Sequence, residues 1–201
     1  LEKVSALDSV GGWISHLFEY ISGSLKEVTF EVYALEDIKA ADGESEDYYK
    51  KDDLIATITT DETGVAKLTD IPLGKYYVKE KETANGYVLD STAREIDLTY
   101  RDQDTAEVTY SSDWQNNRQK AEVKVLKKEK DSDRVLEGAV FALCNKEDIV
   151  NANGDVILKA DTVIEEQATD KEGKLTFTAD LPIGYTYYVK ETSPAPGFAT
   201  T

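Results

Sequence analysis

Two glutamates occupy the same position in two copies of one strand motif. Both copies read Tyr-x-Val-x-Glu, the first ending at Glu80 and the second, 111 residues later, at Glu191. Successive side chains of a strand point to opposite faces, so the tyrosine, the valine and the glutamate share one apolar face. A carboxyl group held in an apolar interior can keep or deliver a proton there. The repeated motif therefore predicts a buried acid in each half of the chain.

Lysines follow the same pattern on the strands that begin each half. Val123, Val125 and Lys127 share one strand face, and Leu1 and Lys3 repeat the last step of that pattern. A lysine on an apolar face either extends its amine to the rim or is held in the core. The sequence thus predicts an amine and an acid on the inner faces of each half.

Length and charge limit the kinds of partner. The chain has 201 residues, enough for two domains of about 100 residues each. Its net charge of −17, from 40 acidic and 23 basic side chains, argues against nucleic acid or an anionic membrane surface as partner. No run of about 18 apolar residues occurs, so we expect no membrane insertion within this segment.

The elements form an internal repeat of two domains. Alternating strand patterns at residues 28–33 and 140–143 are spaced like the two glutamates. We predict an all-β chain of two tandem Ig-like, prealbumin-like β-sandwich domains, residues 1–119 and 120–201. The second domain stops soon after Phe198 and lacks an equivalent of residues 91–117, so we expect its last strand to be missing.

One stretch departs from the strand pattern. Apolar residues fall at helical spacing between flanking glycines, namely Trp13, Ile14, Leu17, Phe18 and Ile21. This spacing predicts a short helical insertion over residues 9–24 of the first domain. It would cap that domain or present an apolar face to a partner.

Metal and cofactor chemistry has little support in the sequence. His16 has no companion at a metal-ligand spacing. The acidic loop at residues 42–53 lacks the ligand spacing, central glycine and final glutamate of an EF-hand, which favours a solvated loop over a calcium site. Cys144 cannot form an internal disulfide and is expected to pack as a small core or edge residue. We predict no metal and no cofactor, and leave calcium binding by the acidic loop open.

The assembled motifs resemble the Cna-B type, SpaA-like domains of Gram-positive surface adhesins and pilins. They are the Val-x-Lys-x-Glu start at Val125 to Glu129, the Leu-x-Gly-Ala-x-Phe step at Leu136 to Phe141, and the Leu-Pro-x-Gly element that precedes Tyr-x-Val-x-Glu in the second copy. Any one of these motifs alone would be weak, but the set is specific and the resemblance covers nearly the whole chain.

The resemblance implies an intramolecular isopeptide bond in the first domain. In that family a lysine of the first strand is joined to an asparagine or aspartate of the last strand, and a glutamate promotes the reaction. Carried over to this sequence, Lys3 is the amine donor, Glu80 the promoter and Asn116 the acceptor, with Asn117 and Asp113 as alternatives. Burial lowers the pKa of a lysine and raises that of a glutamate, which gives a neutral amine able to attack the amide carbon.

The second domain matches only two of these three roles. Lys127 and Glu191 correspond to the donor and the promoter, but the acceptor strand is absent, so no bond is expected there.

The resemblance implies a structural stalk or pilin module of a bacterial cell-surface protein. Its partners would be neighbouring modules, other pilin subunits or a host ligand, and it would be extracellular and cell-wall-attached through regions outside this segment. The alternative is a ligand-binding adhesin region that contacts a host molecule or partner protein. An enzyme is not expected, because one histidine allows no Ser-His-Asp or Cys-His set and any cross-linking is a single self-modification.

Overall fold

The computed structural model describes residues 1–8 and 14–199. All regular elements of this part of the chain are β-strands. In chain order they are β1 (Lys3–Asp8), β2 (Ile14–Glu19), β3 (Thr29–Ala34), β4 (Leu54–Thr59), β5 (Gly74–Glu82), β6 (Arg94–Leu98), β7 (Lys124–Leu126), β8 (Val140–Asn145), β9 (Ile149–Val150), β10 (Val156–Leu158), β11 (Val163–Ala168), β12 (Lys174–Thr176) and β13 (Tyr187–Ser193). The all-β prediction is confirmed.

The chain divides into two compact units. The middle unit is Gly23–Gln119, and the split unit joins Leu1–Ser22 to Lys120–Thr201. One junction between the units lies between residues 119 and 120. The contacts add a second junction, between residues 22 and 23.

The middle unit is built on one antiparallel sheet with strand order β4-β3-β5-β6. Strict alternation in β3 buries Phe30, Val32 and Ala34, and these pack with Tyr76 and Val78 of β5. The register pairs Phe30 with Glu80, so the apolar face of β5 ends in that glutamate, as the alternation predicts.

The split unit repeats the central strands of this sheet in the order β11-β8-β13, and adds the pairs β12-β7 and β10-β9. Glu191 of β13 lies opposite Phe141 of β8, the same register as Glu80 and Phe30. The core of the split unit contains Leu143, Ile149 and Ile164, all fully buried. Cys144 is also buried, as expected of a small core residue.

The predicted helix over residues 9–24 is not formed in the described part of that stretch, and this prediction is wrong. Residues 14–19 are strand β2, which pairs antiparallel with β1 from Lys3 opposite Glu19 to Asp8 opposite Ile14; residues 9–13 lie outside the described part. Phe18 is 4% exposed, whereas Ile14 is 53% exposed. An amphipathic helix would bury both residues on one apolar face, and here they are not buried together. Pairing with β1 satisfies the backbone and lets Phe18 enter the core, with Val4 and Tyr20 packed against it.

Each unit has a tyrosine at the same point of the repeat, fully buried in the middle unit and partly buried in the split unit. Tyr76 is fully buried and donates its hydroxyl hydrogen bond to the Pro72 carbonyl, and Tyr187 does the same to Pro182 at 2.7 Å. Burial raises the pKa of Tyr76 to about 12 and raises the pKa of Tyr187 as well.

We expect the free energy of unfolding to fall as pH rises from about 10, where an unfolded tyrosine ionises. Above that pH the unfolded state has lost a proton that folded Tyr76 keeps until pH approaches about 12. Urea unfolding at a series of alkaline pH values measures the slope, and it should be smaller in Tyr76→Phe than in the wild type. The exposed Tyr100 gives the control, Tyr100→Phe. Equal slopes in Tyr76→Phe and the wild type would contradict the assignment.

Candidate functional site

Glu80 is a buried carboxylate in the middle unit. It lies on β5 with 3% of its surface exposed. The Asp90 backbone N–H donates to Oε2 at 3.0 Å. A carboxylate in an interior needs such donors, because burial without hydrogen bonds is costly.

Asn116 supplies the other donor to this carboxylate. Its Nδ2 lies 2.8 Å from both Glu80 oxygens and 3.1 Å from the carbonyl oxygen of Val88. Of the three acceptors weighed from the sequence, only Asn116 has a hydrogen bond to Glu80 in the described residues. Asn117 and Asp113 are exposed. The structure thus brings the predicted promoter and the preferred acceptor together.

The closing segment, residues 107–119, positions Asn116 without forming a regular ladder. Trp114 packs edge-on against Phe30 with ring centroids 5.0 Å apart, and the Arg94 guanidinium lies 3.7 Å from the Trp114 ring centroid. The Val88 N–H donates to the carbonyl oxygen of Asn117, the residue after Asn116, at 2.8 Å. The edge-on contact with Phe30, the Arg94 contact and this backbone bond together fix which side of the segment faces Glu80.

Sequence reasoning did not identify Arg94. It also donates to the Asp113 carbonyl at 2.8 Å, so one side chain holds the closing segment at two points. The sequence shows an arginine in one strand and Trp114 in a later segment. No periodicity in the sequence indicates that Arg94 and Trp114 are in contact.

Lys3 makes its ion pair within the split unit. It lies on β1, pairs in register with Glu19, and its Nζ is 3.2 Å from the Glu19 carboxylate. The Lys3 side chain is 59% exposed, and its hairpin belongs to the split unit.

Lys127 and Glu191 form a second pair, in the split unit. Lys127 Nζ lies 2.9 Å from Glu191 Oε2, and their side chains are 23% and 15% exposed. The Lys127 amine is 6.0 Å from the Phe141 ring centroid. Glu191 Oε1 is buried, and no group of residues 1–8 and 14–199 donates a hydrogen bond to it.

Gly173 lets the neighbouring turn approach the Lys127 backbone. Its φ is +71°, and a Cβ there would lie 2.7 Å from the Lys127 carbonyl oxygen. The Lys127 N–H in turn donates to the Gly173 carbonyl at 2.8 Å. Any side chain at this position would displace the strand that carries the lysine.

The two acids contact different groups. Glu80 is in contact with the nitrogen of an amide, and Glu191 is in contact with an amine. An acid beside an amide nitrogen can protonate it as it leaves, and an acid beside an ammonium can accept its proton.

The acidic loop at residues 42–53 uses its carboxylates for local contacts. Asp42 accepts from the Ser45 N–H at 2.9 Å, and Asp47 pairs with Lys39 and Lys50. Within residues 1–8 and 14–199, no three His, Cys, Asp or Glu side chains are grouped to hold a metal ion. The described residues include no helix long and apolar enough to cross a membrane.

A family model described as the SpaA prealbumin-like fold domain matches residues 21–114 and again residues 121–201. The chain belongs to this family. The two matches account for most of the sequence and follow the two copies of the Tyr-x-Val-x-Glu motif. The resemblance drawn from the motifs is therefore confirmed, and so is the fold of two prealbumin-like domains.

This SpaA-family chain is similar to solved structures of the Bacillus anthracis TIE protein and of pilins. The Bacillus anthracis TIE protein has 27% identity and a TM-score of 0.56 over 89% of this chain, which spans 27% of that protein. A streptococcal ancillary pilin has 20% identity and a TM-score of 0.30 over 88% of this chain and 51% of its own. The shaft pilin SpaA of Lactobacillus rhamnosus GG has 18% identity and a TM-score of 0.31 over 96% of this chain and 85% of its own. None of the curated protein sequences matches the chain.

Proposed function

We propose that the chain is a structural stalk or pilin segment of an extracellular, cell-wall-attached bacterial protein, stabilised by an isopeptide bond that forms without an enzyme. Its partners are neighbouring modules of the same surface protein and other pilin subunits. Membership of the SpaA family supports the structural role. The observation that carries the bond is the contact of the Asn116 amide nitrogen with both oxygens of buried Glu80.

The reaction joins Lys3 to Asn116. The Lys3 amine, once its ammonium proton has been lost, attacks the Asn116 Cγ, the Cγ–Nδ2 bond breaks, and Nδ2 leaves as ammonia. Glu80 accepts a proton from the attacking amine and returns one to the leaving nitrogen, so it is unchanged at the end. The position of Nδ2 against Glu80 favours this last transfer.

Lys3 must leave Glu19 before it can react. Exposed ion pairs contribute about 0–1 kcal/mol, so the contact between Lys3 and Glu19 does little to hold the amine. The larger cost is separation of β1 from β2, with which it pairs along its whole length. Bond formation during folding, before the hairpin closes, avoids that cost.

The bond would close a loop of more than 100 residues. The loop-closure model developed for disulfides gives a stabilisation of about 4–5 kcal/mol for such a loop. An amide is not reducible, so force applied to the two ends would pass through the bond. This property suits a stalk that carries tension.

The intact mass of the purified chain tests the proposal. We expect the mass to be lower than the sequence mass by one ammonia, and to match the sequence mass in Lys3→Arg, Glu80→Ala and Asn116→Ala. The exposed neighbour gives the matched control, because Asn117→Ala should keep the loss. An unchanged wild-type mass would overturn the bond, and a loss that persists in Lys3→Arg would overturn the assignment of the amine.

A further inference from the structure

We propose that Asn85 is a self-modification site, at which the backbone nitrogen of Gly86 displaces the side-chain amide and converts the asparagine to aspartate or isoaspartate. The reaction goes beyond the proposed function and does not depend on it.

The chain contains the tripeptide Ala-Asn-Gly twice, ending at Gly86 and at Gly154. The asparagine is exposed in both copies, and the glycines have nearly the same φ, +90° at Gly86 and +89° at Gly154. A glycine after asparagine leaves the attacking nitrogen unshielded, because glycine has no Cβ. The two copies therefore offer the same chemistry, and their hydrogen bonds decide which one reacts.

The Gly86 N–H is available for reaction. Asn85 and Gly86 are the central residues of a turn that the Tyr87 N–H closes on the Ala84 carbonyl at 3.2 Å. Such a turn uses the N–H of its fourth residue and leaves the N–H between its central residues unused. Within residues 1–8 and 14–199, the Gly86 N–H donates to no acceptor.

The Gly154 N–H is already engaged. Gly154 is the fourth residue of its turn, and its N–H donates to the Asn151 carbonyl at 3.1 Å. The Asn151 side-chain oxygen also accepts from the N–H groups of Asn153 and Asp155, both at 2.9 Å. Attack by the Gly154 nitrogen would break its own bond and disturb the other two. The same tripeptide is thus reactive at Asn85 and protected at Asn153.

The reaction needs only water as a second reactant. The Gly86 nitrogen loses its proton to solvent and attacks the Asn85 Cγ. The Cγ–Nδ2 bond breaks, and Nδ2 takes a proton from solvent and leaves as ammonia, which gives a five-membered cyclic imide. Water then adds to one of the two imide carbonyls, and the ring opens to aspartate or to isoaspartate.

Modification would alter the contacts that hold the closing segment. The Gly86 carbonyl accepts from the Gln119 N–H at 2.7 Å, and the Val88 N–H donates to the Asn117 carbonyl at 2.8 Å. In isoaspartate the backbone runs through the side-chain carbon and is longer by one methylene group, immediately before these two contacts. The added length moves the acceptor and the donor out of line with their partners, so the closing segment loosens.

The test incubates the folded chain at mildly alkaline pH and follows both Asn-Gly sites by mass spectrometry of a proteolytic digest. We expect loss of ammonia and then gain of water at Asn85, about 2- to 10-fold faster than at Asn153, the factor that one hydrogen bond contributes. In urea-unfolded chain the two sites should react at similar rates. The digest locates each loss of ammonia, so this reaction and the Lys3–Asn116 bond succeed or fail separately.

Two variants test the assigned cause. Asn85→Gln should stop modification at this site, because glutamine would have to form a six-membered ring. Asn151→Ala removes the side-chain acceptor from the other turn, so it should speed the reaction at Asn153 and leave the rate at Asn85 unchanged. After incubation, hydrogen exchange at the Val88 and Gln119 amides should rise in the wild type and stay constant in Asn85→Gln.

An Asn85 that stays intact in the folded chain would overturn the proposal. So would equal rates at Asn85 and Asn153 in the folded chain, because the free N–H of Gly86 would then have no effect.

Discussion

Replacement of Phe18 by alanine is expected to lower the free energy of unfolding of the split unit by about 3–5 kcal/mol, the usual cost of removing a buried phenylalanine. Phe18 is 4% exposed and packs in a core whose other buried members all come from residues 143–181. Tyr20 anchors the same hairpin by donating to the Asp180 carbonyl at 2.7 Å. The loss of Phe18 would therefore act on strands that lie more than 100 residues further along the chain.

Hydrogen exchange measured by mass spectrometry locates this effect. Amides in residues 120–199 should lose protection in Phe18→Ala, while those of residues 23–119 should keep it. Leu17 is the matched control, because it is the adjacent residue of β2 and is exposed; Leu17→Ala should change the free energy of unfolding by no more than about 0.5 kcal/mol. Equal effects of the two variants, or loss of protection in the middle unit, would show that the hairpin does not belong to the split unit.

Removal of the Glu165 carboxylate should also destabilise the split unit, by about 2–4 kcal/mol. Glu165 is fully buried and accepts from the Thr178 N–H at 2.8 Å, the Thr178 hydroxyl at 2.9 Å and the Ala179 N–H at 2.9 Å. The Gln167 amide donates to it at 2.7 Å. Each buried donor left without a partner costs about 1–3 kcal/mol, and Glu165→Ala leaves several.

Urea denaturation of Glu165→Ala and Glu166→Ala compares the two faces of one strand. Glu166 is the next residue of β11, and its side chain makes no contact of this kind in the described residues, so Glu166→Ala should be within about 0.5 kcal/mol of wild type. Glu165→Gln gives a further check, because an amide of the same shape cannot accept from every donor and should lose part of the same stability. A Glu165→Ala variant as stable as Glu166→Ala would rule out this role of the carboxylate.

The parts that the sequence predicted are those with a strict period. Alternation along β5 and β13 placed Glu80 and Glu191 on inward faces, and the repeat placed them at one register against Phe30 and Phe141. The family motifs fall in these same strands and the turns that join them, so the fold could be predicted without coordinates. Asn116 came from the family resemblance, which left Asn117 and Asp113 as alternatives.

Residues 9–24 show where a local pattern fails. Their apolar spacing predicts a helix, and the described residues 14–19 form a strand instead. A short apolar stretch can fit both the helix period and the strand period. The segments that pack against it decide whether it forms a helix or a strand. Here β1 supplies backbone hydrogen bonds to β2, and the core of the split unit buries the Phe18 ring.

Strand periodicity and the order of the motifs determined by themselves that this chain is two β-sandwich domains, each with an acid at one inward position. Only the tertiary structure decided which groups meet those acids, namely an asparagine at Glu80 and a lysine at Glu191. It also decided that the N-terminal hairpin packs with residues 120–201. A period reports the side of a strand on which a side chain lies, whereas its neighbours depend on how distant segments pack, and that information is not contained in any local stretch of sequence.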